Sequence, residues 1–340
     1  MPKIAVVKNI HSSAIKLLEN NSNFQFEIIE DLSKENLTKK LPDFDAITLK
    51  TAKLDSEIIN SCKKLKIISR HGVGIDNVDL NSVKLNNITL TITTKANAIA
   101  VSEHVMFMIL NISKGIDMYD KTVREGQFLK RDKLEKSFEL WNKKILIIGF
   151  GRVGQNLINK CQAFGMKTYV YDPFIDQKTI ESFKGTKIDD LNSFLKETDY
   201  VSIHSPLNKD TRNLINIKNL KTMKKSSIII NTSRGGVINE KDLDEALNKS
   251  FIHGAGLDVF EQEPPDPENP LLHMSNVILT PHVASASQRM APETRRRVGK
   301  EISLVLTGRW PKSCVNPSVL AGADLKRWQP YSMERGPGSG

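Results

Sequence analysis

Short apolar runs rich in β-branched residues alternate with helix-patterned stretches along most of this chain, and that alternation limits the fold more than any single motif does. The first strand-like runs lie at residues 4–7, 24–29, 46–49, 66–69 and 88–92. Helix-like stretches at 12–20, 55–62 and 79–85 separate them. Strand–helix alternation predicts a parallel sheet with helices on its faces, because a parallel crossover needs a connection long enough to hold a helix. A longer helical pattern from 98 to about 114 leads out of this first unit.

A second alternation begins at Lys144, with strand-like runs at 145–148, 168–171, 200–204, 227–231, 254–257 and 277–279. Six strands suffice for a doubly wound nucleotide-binding sheet. Another long helical pattern, from about 286 to 306, follows Thr280-Pro281-His282. The two long helices bracket the second unit, which therefore reads as an insertion into the first, with two crossings as a hinge. The expected fold is α/β, with two doubly wound parallel-sheet domains. Residues 1–97 and 286–325 form a discontinuous, flavodoxin-like substrate domain, and 98–285 an inserted Rossmann domain. Residues 326–340, ending Gly336-Pro337-Gly338-Ser339-Gly340, read as a flexible tail.

Composition narrows the function class. No stretch approaches 18 uninterrupted apolar residues, so no membrane span is expected. The N-terminal apolar run is too short for a signal peptide. Three well-separated cysteines, Cys62, Cys161 and Cys314, suit a reduced cytoplasm, and neither a disulfide framework nor a metal site. The formal charge of +10 is spread along the chain without an aromatic-interleaved basic block, so no nucleic-acid partner is expected.

Gly149-Phe150-Gly151-Arg152-Val153-Gly154 has the form GxGxxG between a strand run and a helical pattern. In that context each glycine has a task. Gly149 permits the tight turn, Gly151 lets backbone approach a pyrophosphate, and Gly154 lets helix pack on strand. The helix N-terminus then offers amides and a positive dipole to phosphate. Asp172 follows the next strand, 23 residues after Gly149. A carboxylate there accepts ribose hydroxyls and repels a 2′-phosphate, which selects NAD over NADP. The alternative for Asp172 is a turn residue before Pro173.

Three more segments follow predicted strands: 231–236 with Arg234, 258–265 with Glu263, and 280–284 with His282. Ligands bind at the carboxyl edge of such sheets, so these three side chains can converge. Taken singly, each also has a plain reading: a solvated turn arginine, a glutamate capping a proline turn and a structural histidine.

With these motifs in order, the chain resembles the D-isomer-specific 2-hydroxyacid dehydrogenase family, and within it the phosphoglycerate dehydrogenase branch. The resemblance runs from about Lys3 to Leu320. It includes Arg70-His71-Gly72-Val73-Gly74-Ile75-Asp76-Asn77-Val78-Asp79, the stretch from Asn97 to His104, the glycine loop and the three segments above. It implies a general acid/base at His282, oriented by Glu263, with Arg234 gripping the substrate. The chemistry fits those residue types. Histidine, with an ordinary pKa of about 6.5, can give and take a proton near neutrality. A neighbouring carboxylate fixes its tautomer, and arginine can hold a carboxylate by two parallel hydrogen bonds. Arg152, Val153, Ser205, Pro206, Thr232, Asp258 and Ala284 match the family's cofactor contacts.

On the substrate side, the Gly72-Val73-Gly74 loop is expected to present amides to a carboxylate, with Asn97 in the same set. Lys50, just past a strand end, is a second contact or else a surface lysine. His71, His104 and His204 are read as structural.

The expected activity is hydride transfer between NAD and C2 of a small 2-hydroxy or 2-oxo acid, of the 3-phosphoglycerate dehydrogenase type. Lys130-Arg131 would supply charge for a phosphate if its segment reaches a neighbouring subunit's substrate site; a solvated loop is the alternative. Glyoxylate/hydroxypyruvate reductase is the second enzyme reading, and an NAD(H)-sensing corepressor-like binding protein the reading from another class. Glutamate at 263 argues against a formate dehydrogenase, which generally has glutamine there. The segment 98–141 predicts a homodimer. The chain stops soon after Asn316-Pro317, leaving no room for the regulatory domain of longer phosphoglycerate dehydrogenases, so serine feedback through such a domain is not expected.

Overall fold

Near-continuous apolar runs suit strands covered on both faces, the environment of a parallel sheet. The computed structural model describes residues 1–7, 24–93, 97–320, 322–323 and 325–326, and every strand pair in its two sheets is parallel. The chain divides into two compact units. One joins Met1–Asn97 to the stretch from Ser287 onward; the other is Ala98–Ala286.

The first unit holds β1 (Lys3–Val7), β2 (Gln25–Ile29), β3 (Ala46–Leu49), β4 (Ile67–Arg70) and β5 (Thr89–Thr91), in the order β2-β1-β3-β4-β5. This is the flavodoxin-like winding, whose order reverses between β1 and β3. Lys50 directly follows β3 at that point. The helices Ser56–Ser61 and Leu80–Leu85 carry Asp55 and Asp79 as N-caps, each carboxylate accepting a first-turn amide. The helix Lys34–Lys40 was not anticipated, because Leu37 is its one buried residue and leaves no apolar periodicity to read. The expected helix at 12–20 lies outside the described residues. The long helix begins at Met290 rather than 286. Pro292 lacks an amide proton and is tolerated only in a first turn, so the helix starts just before it. Lys326 pairs with Arg309, and the remainder of the expected tail lies outside the described residues.

The second unit holds β6 (Lys144–Ile148), β7 (Lys167–Tyr171), β8 (Thr186–Lys187), β9 (Tyr200–Ile203), β10 (Ile228–Asn231), β11 (Gly254–Leu257) and β12 (Val277–Leu279). Their order, β12-β11-β10-β9-β6-β7-β8, is the Rossmann winding with one more strand, reversing between β6 and β9. Seven strands replace the six expected. β8 is a two-residue edge strand without an apolar run, so the sequence carries no signal for it. The helix Ala98–Lys114 packs on the helix Arg152–Ala163 and buries Val105, Met108 and Ile109. Gly115, at φ 59°, breaks the helical path, and a second helix, Ile116–Arg124, follows it. No single described helix is long and apolar enough to cross a membrane.

Candidate active site

The carboxyl edge of the second sheet carries two kinds of loop. The first joins β6 to the helix Arg152–Ala163. Gly149 sits at φ 91°, and a Cβ there would lie 2.8 Å from the backbone of His204 and of Ser205. Only glycine fits this turn. A Cβ on Gly154 would lie 2.5 Å from the Gly149 carbonyl oxygen, so helix and loop meet backbone to backbone. Gly151 differs: a Cβ there would meet nothing within 4 Å. Its smallness serves no protein contact, which suits a ligand's approach.

Asp172 directly follows β7, and its carboxylate holds the turn that the plainer reading gave it. One carboxylate oxygen accepts the Phe150 amide at 2.7 Å and pins the glycine loop; the other accepts the Phe174 amide at 2.9 Å and closes the turn. Each oxygen keeps a lone pair for a ribose hydroxyl. The hydroxyls of Ser205 and Thr232, past β9 and β10, are buried with no hydrogen-bond partner. Orphaned buried hydroxyls are costly unless a ligand or water satisfies them. These hydroxyls, the open Gly151 and the N-terminus of a 12-residue helix fit a dinucleotide. Pro206, beside Ser205, accepts the Thr211 hydroxyl through its carbonyl.

The second kind of loop carries the titratable groups. Asn231 folds the Arg234 turn: its amide donates to the Arg234 carbonyl, and its oxygen accepts both the amide and the hydroxyl of Ser233. A Cβ on Gly235 would lie 1.9 Å from the Phe260 carbonyl carbon, so this turn presses directly on the Glu263 loop. Glu263 accepts from the Phe260 amide and stands 2.8 Å from His282 Nδ1. Partial burial opposes ionisation of Glu263. The hydrogen bond and charge of His282, the Phe260 amide and Arg234 outweigh it, so the carboxyl is held below the usual range. With Nδ1 engaged, Nε2 is the ring atom left to exchange a proton. The His282 side chain remains about half exposed.

Asp258, read from sequence as a cofactor contact, also bonds within the protein. It is buried, and its carboxylate accepts the Thr280 hydroxyl and the amides of Val283 and Ala284. Its carbonyl accepts the His282 amide at 2.9 Å. It organises the histidine loop, a role that sequence alone did not disclose. Ala284, also read as a cofactor contact, gives its amide to this carboxylate.

The proposed substrate residues Lys50, Gly72, Val73, Gly74 and Asn97 belong to the first unit. Arg70, buried, donates to the Lys50 carbonyl and to Asn77, tying the ends of β3 and β4 together. Gly72 adopts φ 150°, and its carbonyl accepts the Thr93 amide. His71 follows Arg70. Burial, reinforced by the charges of Lys50, Arg70 and Arg295, pushes its imidazole down to about 4, so it is neutral at physiological pH. Lys130 and Arg131 lie in the second unit on the short helix Phe128–Lys133, both exposed. Lys130 bonds Gln127, and Arg131 lies over Phe128.

Comparison with known proteins places this arrangement. Residues 106–284 match the family model for the D-isomer specific 2-hydroxyacid dehydrogenase, NAD binding domain. A D-3-phosphoglycerate dehydrogenase of Methanocaldococcus jannaschii is 35% identical over 98% of this chain and 63% of its own length. A hydroxypyruvate reductase of Thermotoga maritima is 36% identical over 88% of this chain and 95% of its own. Among solved structures, an NADPH-dependent glyoxylate/hydroxypyruvate reductase of Sinorhizobium meliloti, crystallised with NADP and malonate, superposes with a TM-score of 0.84 at 25% identity. That match covers 97% of this chain and 99% of the other. The chain belongs to the D-isomer specific 2-hydroxyacid dehydrogenase family, and its second unit carries the NAD-binding fold of that family. It spans 59–63% of the length of three phosphoglycerate dehydrogenases that it matches.

Proposed function

We propose that the protein is an NAD-dependent D-2-hydroxyacid dehydrogenase that interconverts a small 2-hydroxy acid and its 2-oxo acid. The observation that carries this reading is the Glu263–His282 pair at 2.8 Å, pressed against the Arg234 turn through Gly235. Bound NAD supplies the hydride chemistry at C2. His282 Nε2 gives a proton to the C2 oxygen in reduction and takes it back in oxidation. Glu263, its carboxyl held below the usual range, accepts Nδ1–H and holds the ring in place. Arg234 binds the substrate carboxylate. Asp172 favours NAD over NADP, so NADPH is expected to be the poorer reductant.

For the substrate, we favour an acid with a second anion, as in 3-phosphoglycerate. Lys50 follows the strand-order reversal of the first sheet, and Lys130-Arg131 lies in a segment suited to meeting a second copy of the chain. That segment and the helix before it expose Ile99, Phe107, Ile116, Val123, Phe128 and Leu129. So many exposed apolar side chains within one segment support a homodimer built on the second unit. The second reading, glyoxylate/hydroxypyruvate reductase, draws on the relatives of that name, one 34% identical over 99% of its own length.

The test is NADH oxidation with glyoxylate, hydroxypyruvate, pyruvate, 2-oxoglutarate and phosphohydroxypyruvate. The phosphate reading expects phosphohydroxypyruvate to have the highest kcat/KM and Lys130→Ala/Arg131→Ala to lose only that preference. A wild type that prefers hydroxypyruvate or glyoxylate moves the assignment to the reductase. A monomer by light scattering at micromolar concentration overturns the dimer.

A further inference from the structure

The histidine loop is tied to the helix Ala98–Lys114 by a chain of hydrogen bonds that ends on His104. His104 Nε2 lies 3.0 Å from Thr280 Oγ1, and that hydroxyl donates to Asp258 Oδ1 at 2.6 Å. The direction of the chain follows from counting protons. Asp258 accepts the amides of Val283 and Ala284, so its oxygens stand as acceptors. Thr280 has a single hydroxyl proton and gives it to Asp258. Its oxygen can then only accept from His104. His104 must therefore carry a proton on Nε2. The ring is mostly buried, with 18% of its side chain exposed, and tilts against Phe107.

This chain ends on a backbone that needs support. His282 sits at φ 53°, a left-handed conformation that residues with a side chain adopt uncommonly. The amides of residues 282, 283 and 284 all bond to Asp258, through its carbonyl for the first and its carboxylate for the others. The His104 N–H polarises the Thr280 hydroxyl, strengthening its bond to that carboxylate.

We infer that His104 is a positioning residue for the reaction: through Thr280 and Asp258 it fixes the turn that aims His282. It touches none of the reacting groups. The inference rests on His282 as the proton carrier, and the two ideas fail separately.

The experiment compares His104→Gln, which keeps an N–H donor at about the reach of Nε2, with His104→Met, of similar size but without a donor. Activity is NADH oxidation with whichever of glyoxylate, hydroxypyruvate and phosphohydroxypyruvate the wild type reduces fastest. His104→Met should lower kcat about tenfold, with NADH affinity within twofold of wild type. His104→Gln should recover most of the loss. Thr280→Val should resemble His104→Met, and the double variant should be no worse than Thr280→Val alone, because both cut one chain. Equal kcat for the Met and Gln variants, or losses that multiply in the double variant, would overturn the inference. Nitrogen NMR of the histidine-labelled protein gives a readout independent of activity. A protonated Nε2 on His104 is expected, and a neutral Nδ1–H tautomer would refute the chain. Full activity of His282→Ala, in contrast, would sink the proton-carrier assignment and leave the NMR result standing.

Discussion

The glycine loop and the histidine loop stand at the same edge of one sheet, yet opposite means hold them. The glycine loop is shaped by exclusion: backbone atoms of His204 and Ser205 leave no room for a side chain at Gly149, while the space beside Gly151 is open. The histidine loop is shaped by attraction, three consecutive amides and a hydroxyl converging on buried Asp258. A loop formed by exclusion tolerates no added atom at its tight points. A loop formed by attraction tolerates changes to the side chain it presents, provided its anchor remains.

The largest expected effect follows from that second half. His282→Ala should lower kcat by roughly 10²–10⁴-fold, the usual worth of general acid–base catalysis. Its melting temperature should stay near wild type, since the ring is about half exposed. A large fall in Tm would show that the side chain, and not Asp258, holds the loop. Asp258→Ala should be worse for the fold. It strands several donors in a buried site, at a cost of about 2–4 kcal/mol in chemical denaturation, and activity should go with it. A third pair of variants contrasts the glycines. Gly149→Ala should cost about 1–3 kcal/mol of stability. Gly151→Ala should stay within ~0.5 kcal/mol, yet weaken NADH binding more than tenfold by calorimetry. If both destabilise alike, exclusion is not what separates them.

A fourth effect is linked to pH. Full burial pushes His204 down to about 3. Unfolded, an imidazole protonates at about 6.5, so the unfolded state binds the extra proton between these values. This contribution to stability is full above about pH 6.5 and is lost as pH falls towards 3, about 2 kcal/mol between 6.5 and 5. His204→Gln should show a smaller fall in Tm between pH 7 and 5 than wild type; an equal fall would place the acid sensitivity elsewhere. The smallest effect concerns the pair. Glu263→Gln puts an amide of the same size where the carboxylate meets His282 Nδ1, so kcat should fall and the pH–rate profile should change. An unmoved pH–rate profile would count against the pairing.

What the sequence made legible is local. The glycine spacing, the strand runs and the three segments past strand ends could be read because each fits within a few residues. The two-residue β8 and the lysine-rich helix Lys34–Lys40 could not, since neither carries an apolar period. The organising groups escaped for another reason. Asp258, read as a cofactor contact, also takes donors 22 to 26 residues away. His104, read as structural, bonds Thr280, 176 residues on. Gly235 is part of a motif in the sequence, and in the fold the backbone of Phe260 leaves no room there for a side chain. Such roles reside in pairings that the fold makes, and no periodicity announces them.

With His282 as the proposed proton carrier, its left-handed backbone sets stability and activity against each other at a single residue. Asparagine and glycine occupy that conformation at less cost than histidine. A library of this chain sorted for heat resistance alone should therefore enrich asparagine or glycine at position 282, and it would collect dead enzymes. Any stabilisation campaign on this protein has to hold that one position fixed.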